Sequence, residues 1–321
     1  MSDKSYAVVV CGYNEMSNLP RCLSGLIYTV QQPADLIFVD DASTDGSYEW
    51  VGRHYPKITR VRNTTNKHYT GAYNVGIQLA IDQGKEFAIM VNADAEVVEN
   101  TFAAKLVEAA MRLPDVAFIG PKVYYRKKGE IQGTSLYKPT LMRHLFAFFW
   151  WRLNPDSYMR SGDQEHRAEF INTVCCLVRV RALREIGLMD ENMGIYFDDA
   201  EWMARAEEKG WCSCYVPIES IIHHEKPSGY EQHSMKTFML KRNYVYYALL
   251  RRNWAEAAAY AWFSATLACV RLAVAVARHE PIRDHMFFLR RLVSAYSGLL
   301  LKKPLGPWFG PPIGPWKVAK A

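Results

Sequence analysis

The sequence holds no apolar leader, no zinc-type cysteine pairs and no charge-free apolar run of ~20 residues, and each absence narrows what its 321 residues can be. The opening MSDKSYAVVV has no h-region with a cleavage site, so export is not expected. Seven cysteines, an odd number, are scattered as Cys11, Cys22, Cys175, Cys176, Cys212, Cys214 and Cys269 without paired C-x-x-C units. Reduced, mostly buried thiols and a cytosolic compartment follow. Half the residues are hydrophobic and 22% are charged, which excludes the disordered and collagenous classes and allows a sizeable core.

The net charge of +6 conceals an asymmetry. From Lys236 onward there are 14 Lys/Arg and three acids (Glu256, Glu280, Asp284), a balance of +11, which leaves −5 on the first 235 residues. An acidic front suits a divalent cation, and a basic, aromatic back suits an anionic surface.

In the front part, apolar runs alternate with helical patterns. Tyr6–Cys11, Leu36–Val39, Ile58–Val61, Phe87–Val91 and Val116–Gly120 read as strands, and helices are expected from Ser17 to about Tyr28, from Ser47, over Gly71–Gln83 and over Phe102–Met111. This rhythm predicts an α/β domain with a mostly parallel sheet and helices on both faces. Ligands bind beyond the carboxyl ends of such strands. Three polar clusters fall there: Tyr13-Asn14-Glu15, Asp40-Asp41 and Asn92-Ala93-Asp94. Singly, each could be a turn; together they indicate a site.

VVVCGYNE, VDDASTDGS and VNADAEV, in this order, resemble the inverting family 2 glycosyltransferases of the GT-A fold, particularly their rhamnosyltransferase-like branch. The resemblance covers about residues 5–250. It implies that Tyr13 stacks on the nucleotide base with Glu15 nearby, and that Asp40 or Asp41 accepts from the base N–H or a ribose hydroxyl. Asn92-Ala93-Asp94 takes the place of the family's D-x-D motif, with Asn92 at its first position beside the nucleotide and Asp94 facing manganese or magnesium. His68 stands where the family's N-x-G turn has glycine, and Thr173 where glycine is usual before the acceptor site.

The segment Asp190–Trp202 resembles the family's acidic acceptor-side motif. Asp199 falls on the catalytic base, and Asp198, Glu201 and Trp202 fall on the acceptor side. A sugar hydroxyl is far too weak an acid to attack unaided, so a positioned carboxylate must take its proton. The same acids would also suit a helix N-terminus. The stretch Tyr215–His224 resembles a strand delivering a metal-binding histidine; the match falls on His223, with His224 the alternative. Ser228 and Gly229 are candidates for a loop closing over the diphosphate.

Beyond Gln232 long helices are expected. Ala257–Val270 is nearly charge-free, but Arg271 would cost about 2.5–3.5 kcal/mol in mid-bilayer and argues against a full span. Ile282–Lys303 reads as a basic amphipathic helix of the kind that lies in a bilayer interface. The final PLGPWFGPPIGPW, with Trp308 and Trp316, is too rich in Pro and Gly for regular structure. These helices could instead pack on the catalytic domain or form a homo-oligomer.

The resulting expectation is a catalytic domain over 1–235 and a basic helical region over 236–321. The protein would move one sugar from dTDP-rhamnose or a UDP-sugar to a lipid-linked or cell-envelope glycan, at the cytoplasmic face of the inner membrane. A sugar-nucleotide pyrophosphorylase would need a basic glycine-rich loop where CGYNEMSN stands. A processive synthase would show Q-x-x-R-W, whereas Gln164-Glu165-His166-Arg167 is followed by Ala168. A membrane or nucleic-acid scaffold would not need the acidic motifs, and no nucleic-acid recognition motif is present.

Overall fold

The computed structural model describes residues 5–143, 161–224 and 230–300. Strands Tyr6–Gly12 (β1), Leu36–Asp40 (β2), Thr59–Arg62 (β3) and Phe87–Asn92 (β4) alternate with helices Leu19–Leu26 (α1), Ser47–His54 (α2) and His68–Asp82 (α3). Next come Ala95–Val97 (β5), Phe102–Arg112 (α4), Val116–Tyr125 (β6), Ile131–Gln132 (β7) and Ser135–Leu136 (β8). His166–Ala168 (β9), Phe170–Ile171 (β10), Cys175–Arg179 (β11), Val180–Ile186 (α5), Asp198–Glu208 (α6) and Cys212–His223 (β12) complete this part of the chain.

The main sheet runs β3-β2-β1-β4-β11-β6-β12-β5. The first four strands are parallel, because a helix after each of β1, β2 and β3 returns the chain to the same edge. Beyond β4 the sheet is mixed: β11 lies antiparallel between β4 and β6, and β5 lies antiparallel to β12. Two registers align the strand ends. Gly12 lies opposite Asp40, and Cys11 lies opposite Asn92, so the ends of β1, β2 and β4 share one edge.

Alternation along the strands divides the core in two. Val8, Val10, Phe38, Ile89 and Val91 pack with Leu19, Leu23, Leu26, Phe102 and Leu106 of α1 and α4. Val9, Ile37, Val39, Ala88 and Met90 pack with Tyr73 and Ile77 of α3 and with Trp202 and Met203 of α6. Helix α3 approaches the sheet closely at Gly76, where a Cβ would stand 2.3 Å from Val9 Cγ1. Helix α1 is shorter than its pattern suggests. The Glu15 carbonyl accepts the N–H groups of both Asn18 (2.8 Å) and Leu19 (3.0 Å), so Asn18 rather than Ser17 takes the N-cap position. Six of the seven thiols are buried or half-buried, and Cys269 is exposed.

Two compact units result, one of Met1–Glu191 with Asp198–Pro227, the other of Asn192–Phe197 with Ser228–Ala321. The second holds Tyr230–Leu250 (α7), Trp254–Ala277 (α8) and Arg283–Leu300 (α9). The Tyr244 and Tyr260 rings meet at a tilt with centroids 4.2 Å apart, and the Tyr296 and Ser264 hydroxyls bond at 2.7 Å. Asn253 caps α8 by accepting from the Glu256 N–H (3.2 Å) while its amide donates to Glu256 Oε2 (2.5 Å). By length and composition α8 is long and apolar enough to cross a membrane. The loop candidates Ser228 and Gly229 and the tail with Trp308 and Trp316 lie outside the described residues.

Candidate active site

The loops after β1 and β2 are stitched together. Asn14, with φ +56°, donates its N–H to Ser43 Oγ (2.9 Å) and accepts the Thr44 N–H on Oδ1 (2.8 Å). The Met16 N–H reaches Asp45 Oδ2 at 3.0 Å. Much of the polar DASTD run therefore shapes its own loop. What remains turned to the edge is more selective. Tyr13 is half exposed, and Glu15 accepts from the Asn18 amide at 2.5 Å.

The two aspartates after β2 differ. Asp40 is fully buried; Oδ2 accepts the Ser43 N–H (3.1 Å) and meets Arg62 Nε (3.2 Å), but Oδ1 is buried with no partner among the described residues. Asp41 Oδ1 accepts from the Asn63 amide and the Lys67 N–H, both at 2.8 Å. Burial raises the Asp41 carboxyl, and those hydrogen bonds pull it part of the way back. Neighbouring His68 has φ +61°, the left-handed region that glycine enters freely, which explains why glycine suits this turn. Its N–H is held by Asn66 Oδ1 at 2.9 Å.

The edge beside β4 brings together Asn92, Asp94 and His223. His223 pairs opposite Ala95 in the β12–β5 register, and its Nε2 lies 3.2 Å from Asp94 Oδ1. His224, just past the end of β12, sets its Nε2 2.7 Å from Glu96 Oε2. Gln132 Oε1 lies 3.0 Å from His223 Nδ1, and the other ring nitrogen, Nε2, faces the Asp94 carboxylate. The Asn92 amide nitrogen lies 3.5 Å from Nε2, and Asn92 Oδ1 accepts from the Tyr73 hydroxyl at 3.3 Å. A carboxylate and an imidazole nitrogen converging on one point could together ligate a divalent cation. No set of three or more His, Cys, Asp or Glu at metal-ligand spacing occurs among the described residues. Two protein ligands would leave positions open for phosphate oxygens and water.

The acidic cluster forms the first turn of α6, and its members diverge. Trp202 has no exposed surface; its indole N–H donates to the Gly187 carbonyl (2.9 Å) and its ring meets Phe118 edge-on. Glu201 is buried and bonded to Arg205 at 2.6 and 2.9 Å, while Arg205 also donates to the carbonyls of Ile186 (2.5 Å) and Leu188 (2.8 Å). These two residues anchor the helix from inside. Asp198 is buried and Asp199 half-buried. Burial raises the Asp199 carboxyl from 3.8 to about 6, against the pull of the Ala200 N–H at 2.8 Å. The Tyr69 hydroxyl, near both aspartates, donates into the Thr173 oxygens at 3.0 Å and is pushed well up by burial and by the Asp198 charge.

The family model described as "Glycosyl transferase family 2" matches residues 7–187, more than half of the chain. The chain belongs to that family. This glycosyltransferase is 26% identical over 300 residues to the N-acetylglucosaminyl-diphospho-decaprenol L-rhamnosyltransferase of Mycobacterium tuberculosis, covering 88% of this chain and 95% of the relative. Over 223 residues, 70% of each chain, it is 22% identical to the dTDP-rhamnosyl transferase RfbF of Shigella flexneri. Among solved structures, it resembles GalNAc-T7 with UDP, GalNAc and Mn2+ (TM-score 0.58, 17% identity, 77% of this chain and 48% of that one). It also resembles the mannosyltransferase PcManGT from Pyrobaculum calidifontis with GDP-Man and Mn2+ (TM-score 0.53, 17% identity, 94% and 88%). The fold of the family 2 enzyme is thus the mixed α/β GT-A arrangement.

Sequence reasoning missed Gln132, which orients His223, and Asn74, which exchanges two hydrogen bonds with the Met189 backbone (3.0 and 2.9 Å) just before the acidic motif. An Asn inside an otherwise apolar helical pattern was the available signal for the second. Nothing local marks Gln132.

Proposed function

We propose that this family 2 glycosyltransferase transfers a single sugar, with inversion, from a nucleoside diphosphate sugar to a lipid-linked or cell-envelope glycan at a membrane surface. The observation that carries the reading is the convergence of Asp94 and His223 at the strand edge where Asp40 keeps an unsatisfied buried oxygen. Tyr13 stacks on the base, with Glu15 and Asn92 lining the nucleotide. Asp40 Oδ1 takes a base N–H or ribose hydroxyl; Asp41, already committed to Asn63 and Lys67, shapes the pocket wall. Asp94 and His223 would hold a divalent cation, Mn2+ or Mg2+, which would supply positive charge to offset that of a diphosphate leaving group. Asp199 removes the proton of the attacking hydroxyl, and one base with direct displacement inverts the anomeric centre. A carboxyl titrating near 6 is a stronger base than an ordinary one yet is ionised at neutral pH.

The relatives named above support dTDP-rhamnose as first choice of donor, with UDP-sugars next, and a polyprenyl-diphosphate-linked sugar as acceptor. A membrane surface is supported by α8. Trp254, Trp262, Val270, Val274 and Val276 are exposed along it, and no charge interrupts the helix between Glu256 and Arg271. The flanking Arg251, Arg252, Arg271 and Arg278 suit anionic headgroups, so the enzyme is read as peripheral to the cytoplasmic leaflet.

The test is transfer and donor hydrolysis across a panel of nucleotide sugars, with and without chelator. One donor turned over with inversion, dependent on Mn2+ or Mg2+, supports the reading. Turnover unaffected by chelation, or retention of configuration by proton NMR, overturns it.

A further inference from the structure

The residues immediately before the acidic motif are held by a polar pair that the reaction itself does not use. Arg242 and Asn243 on α7 are 2% and 0% exposed. The Asn243 amide nitrogen lies 2.9, 2.8 and 2.7 Å from the carbonyls of Met193, Ile195 and Tyr196. Its two hydrogens serve three acceptors, so one is shared. The amide orientation is fixed by chemistry: Arg242 Nη1 can only donate, and it faces Asn243 Oδ1 at 2.6 Å. The same Nη1 donates to the Asn192 carbonyl at 2.9 Å. Four carbonyls of the 192–197 loop are thereby bound from one point on one helix.

That loop carries unusual backbone strain. Tyr196 and Phe197 are consecutive bulky residues in the left-handed region, at φ +69° and +63°. Such a conformation is costly for a bulky side chain and persists only where the surroundings impose it. Phe197 is packed between Tyr244 and Tyr247, with centroids 5.7 and 6.2 Å away, and the Asn243 bonds secure the other side of the turn. The next two residues are Asp198 and Asp199, the first of α6. The chain enters the first turn of α6, with its carboxylates, directly from the left-handed Tyr196–Phe197 turn.

We infer that Asn243, seconded by Arg242, is a positioning residue of the transfer reaction. It clamps the Met193–Tyr196 carbonyls and so keeps the left-handed Tyr196–Phe197 turn that aims Asp199. The inference rests on the reading of Asp199 as the base. Without the clamp the loop relaxes towards ordinary φ, the first turn of α6 loosens, and Asp199 spends less time in line with the acceptor hydroxyl. Donor binding is untouched, because the nucleotide residues lie elsewhere in the chain.

Asn243→Asp isolates the effect, since it keeps shape and the Arg242 contact but has no N–H to donate. The expected result is a fall in transfer kcat of about 10–100-fold, with donor KM and nucleotide affinity within about threefold of wild type and an unchanged circular dichroism spectrum. Adding Tyr196→Gly, which adopts positive φ without strain, should recover at least part of that kcat. An unchanged kcat in Asn243→Asp overturns the inference, as does a loss of kcat, donor binding and secondary structure together that Tyr196→Gly fails to repair. Asp199→Asn is measured alongside: if it keeps wild-type transfer, the reading of the base fails on its own account, whatever Asn243→Asp does.

Discussion

His223 Nε2 stands 3.2 Å from Asp94 Oδ1, although the two residues belong to segments far apart in the chain. The antiparallel pairing of β12 with β5 brings these segments together, with His223 opposite Ala95, while its neighbour His224 meets Glu96.

Removing His223 should therefore weaken metal-dependent nucleotide binding by at least about 100-fold, and Gln132→Leu, which frees Nδ1, by about 10–100-fold. His224→Ala should stay within about fivefold, the scale of a partly exposed ion pair. Calorimetric titration of UDP or dTDP with and without Mn2+ gives these numbers. A larger loss in His224→Ala than in His223→Ala would reverse the ligand assignment.

For Asp199, the wild-type transfer rate should fall about tenfold per pH unit below 6 and level off above it, as the base protonates. Asp199→Asn should lower kcat by about 10²–10⁴-fold while leaving donor affinity intact. Stability gives an independent check. The folded-state value lies above the unfolded value of 3.8, so the native form holds the extra proton between them and loses stability as pH rises through about 4 to 6. The Tm advantage of Asp199→Asn over wild type should then be larger at pH 8 than at pH 4. Equal Tm differences at both pH values would mean that Asp199 is not a strained, buried charge.

Asp40→Asn tests the unsatisfied oxygen. It weakens the pair with Arg62 and offers one fewer charged acceptor to the nucleotide. Donor KM should rise about 5–100-fold with kcat little changed, the size expected for a lost buried hydrogen bond to a charged group. A kcat defect at unchanged KM would move Asp40 out of the nucleotide site.

Trp262→Glu places a charge on the exposed apolar side of α8, where Trp262 is 72% exposed and so packs on little of the protein. Co-sedimentation with anionic vesicles should drop by about 10–100-fold in affinity, and donor hydrolysis in solution should be unaffected. Binding of wild type should also weaken with salt, because basic residues near such a surface contribute about 1 kcal/mol each. Equal sedimentation of variant and wild type would favour packing or self-association over membrane contact.

The parallel half of the fold was legible because β1, β2 and β4 are short apolar runs closed by polar clusters, and the helices between them keep a clear period. Beyond β4 legibility fell. β5 is three residues long, and Phe170–Val180 splits into β10 and β11 around Thr173. No pattern announces that β11 enters antiparallel. Motif spacing singled out Asp94, Asp199 and His223 as candidates, yet gave no means to tell that Glu201 and Trp202 turn inward, since inward and outward positions one residue apart on a helix carry the same letters. Arg242 and Asn243 read as ordinary helix residues amid tyrosines and cations, and their role appears only once the 192–197 backbone lies against them.

The uneven exposure of the seven thiols equips the enzyme with a native reporter. Burial pushes the Cys11, Cys22, Cys175, Cys176 and Cys214 thiols upward, so little reactive thiolate forms there near neutral pH. Cys269 sits openly on α8, one residue from exposed Val270. A polarity-sensitive maleimide dye should attach there first, with no engineered cysteine. Its emission colour would then reveal whether that stretch of helix faces water or hydrocarbon while the enzyme turns over.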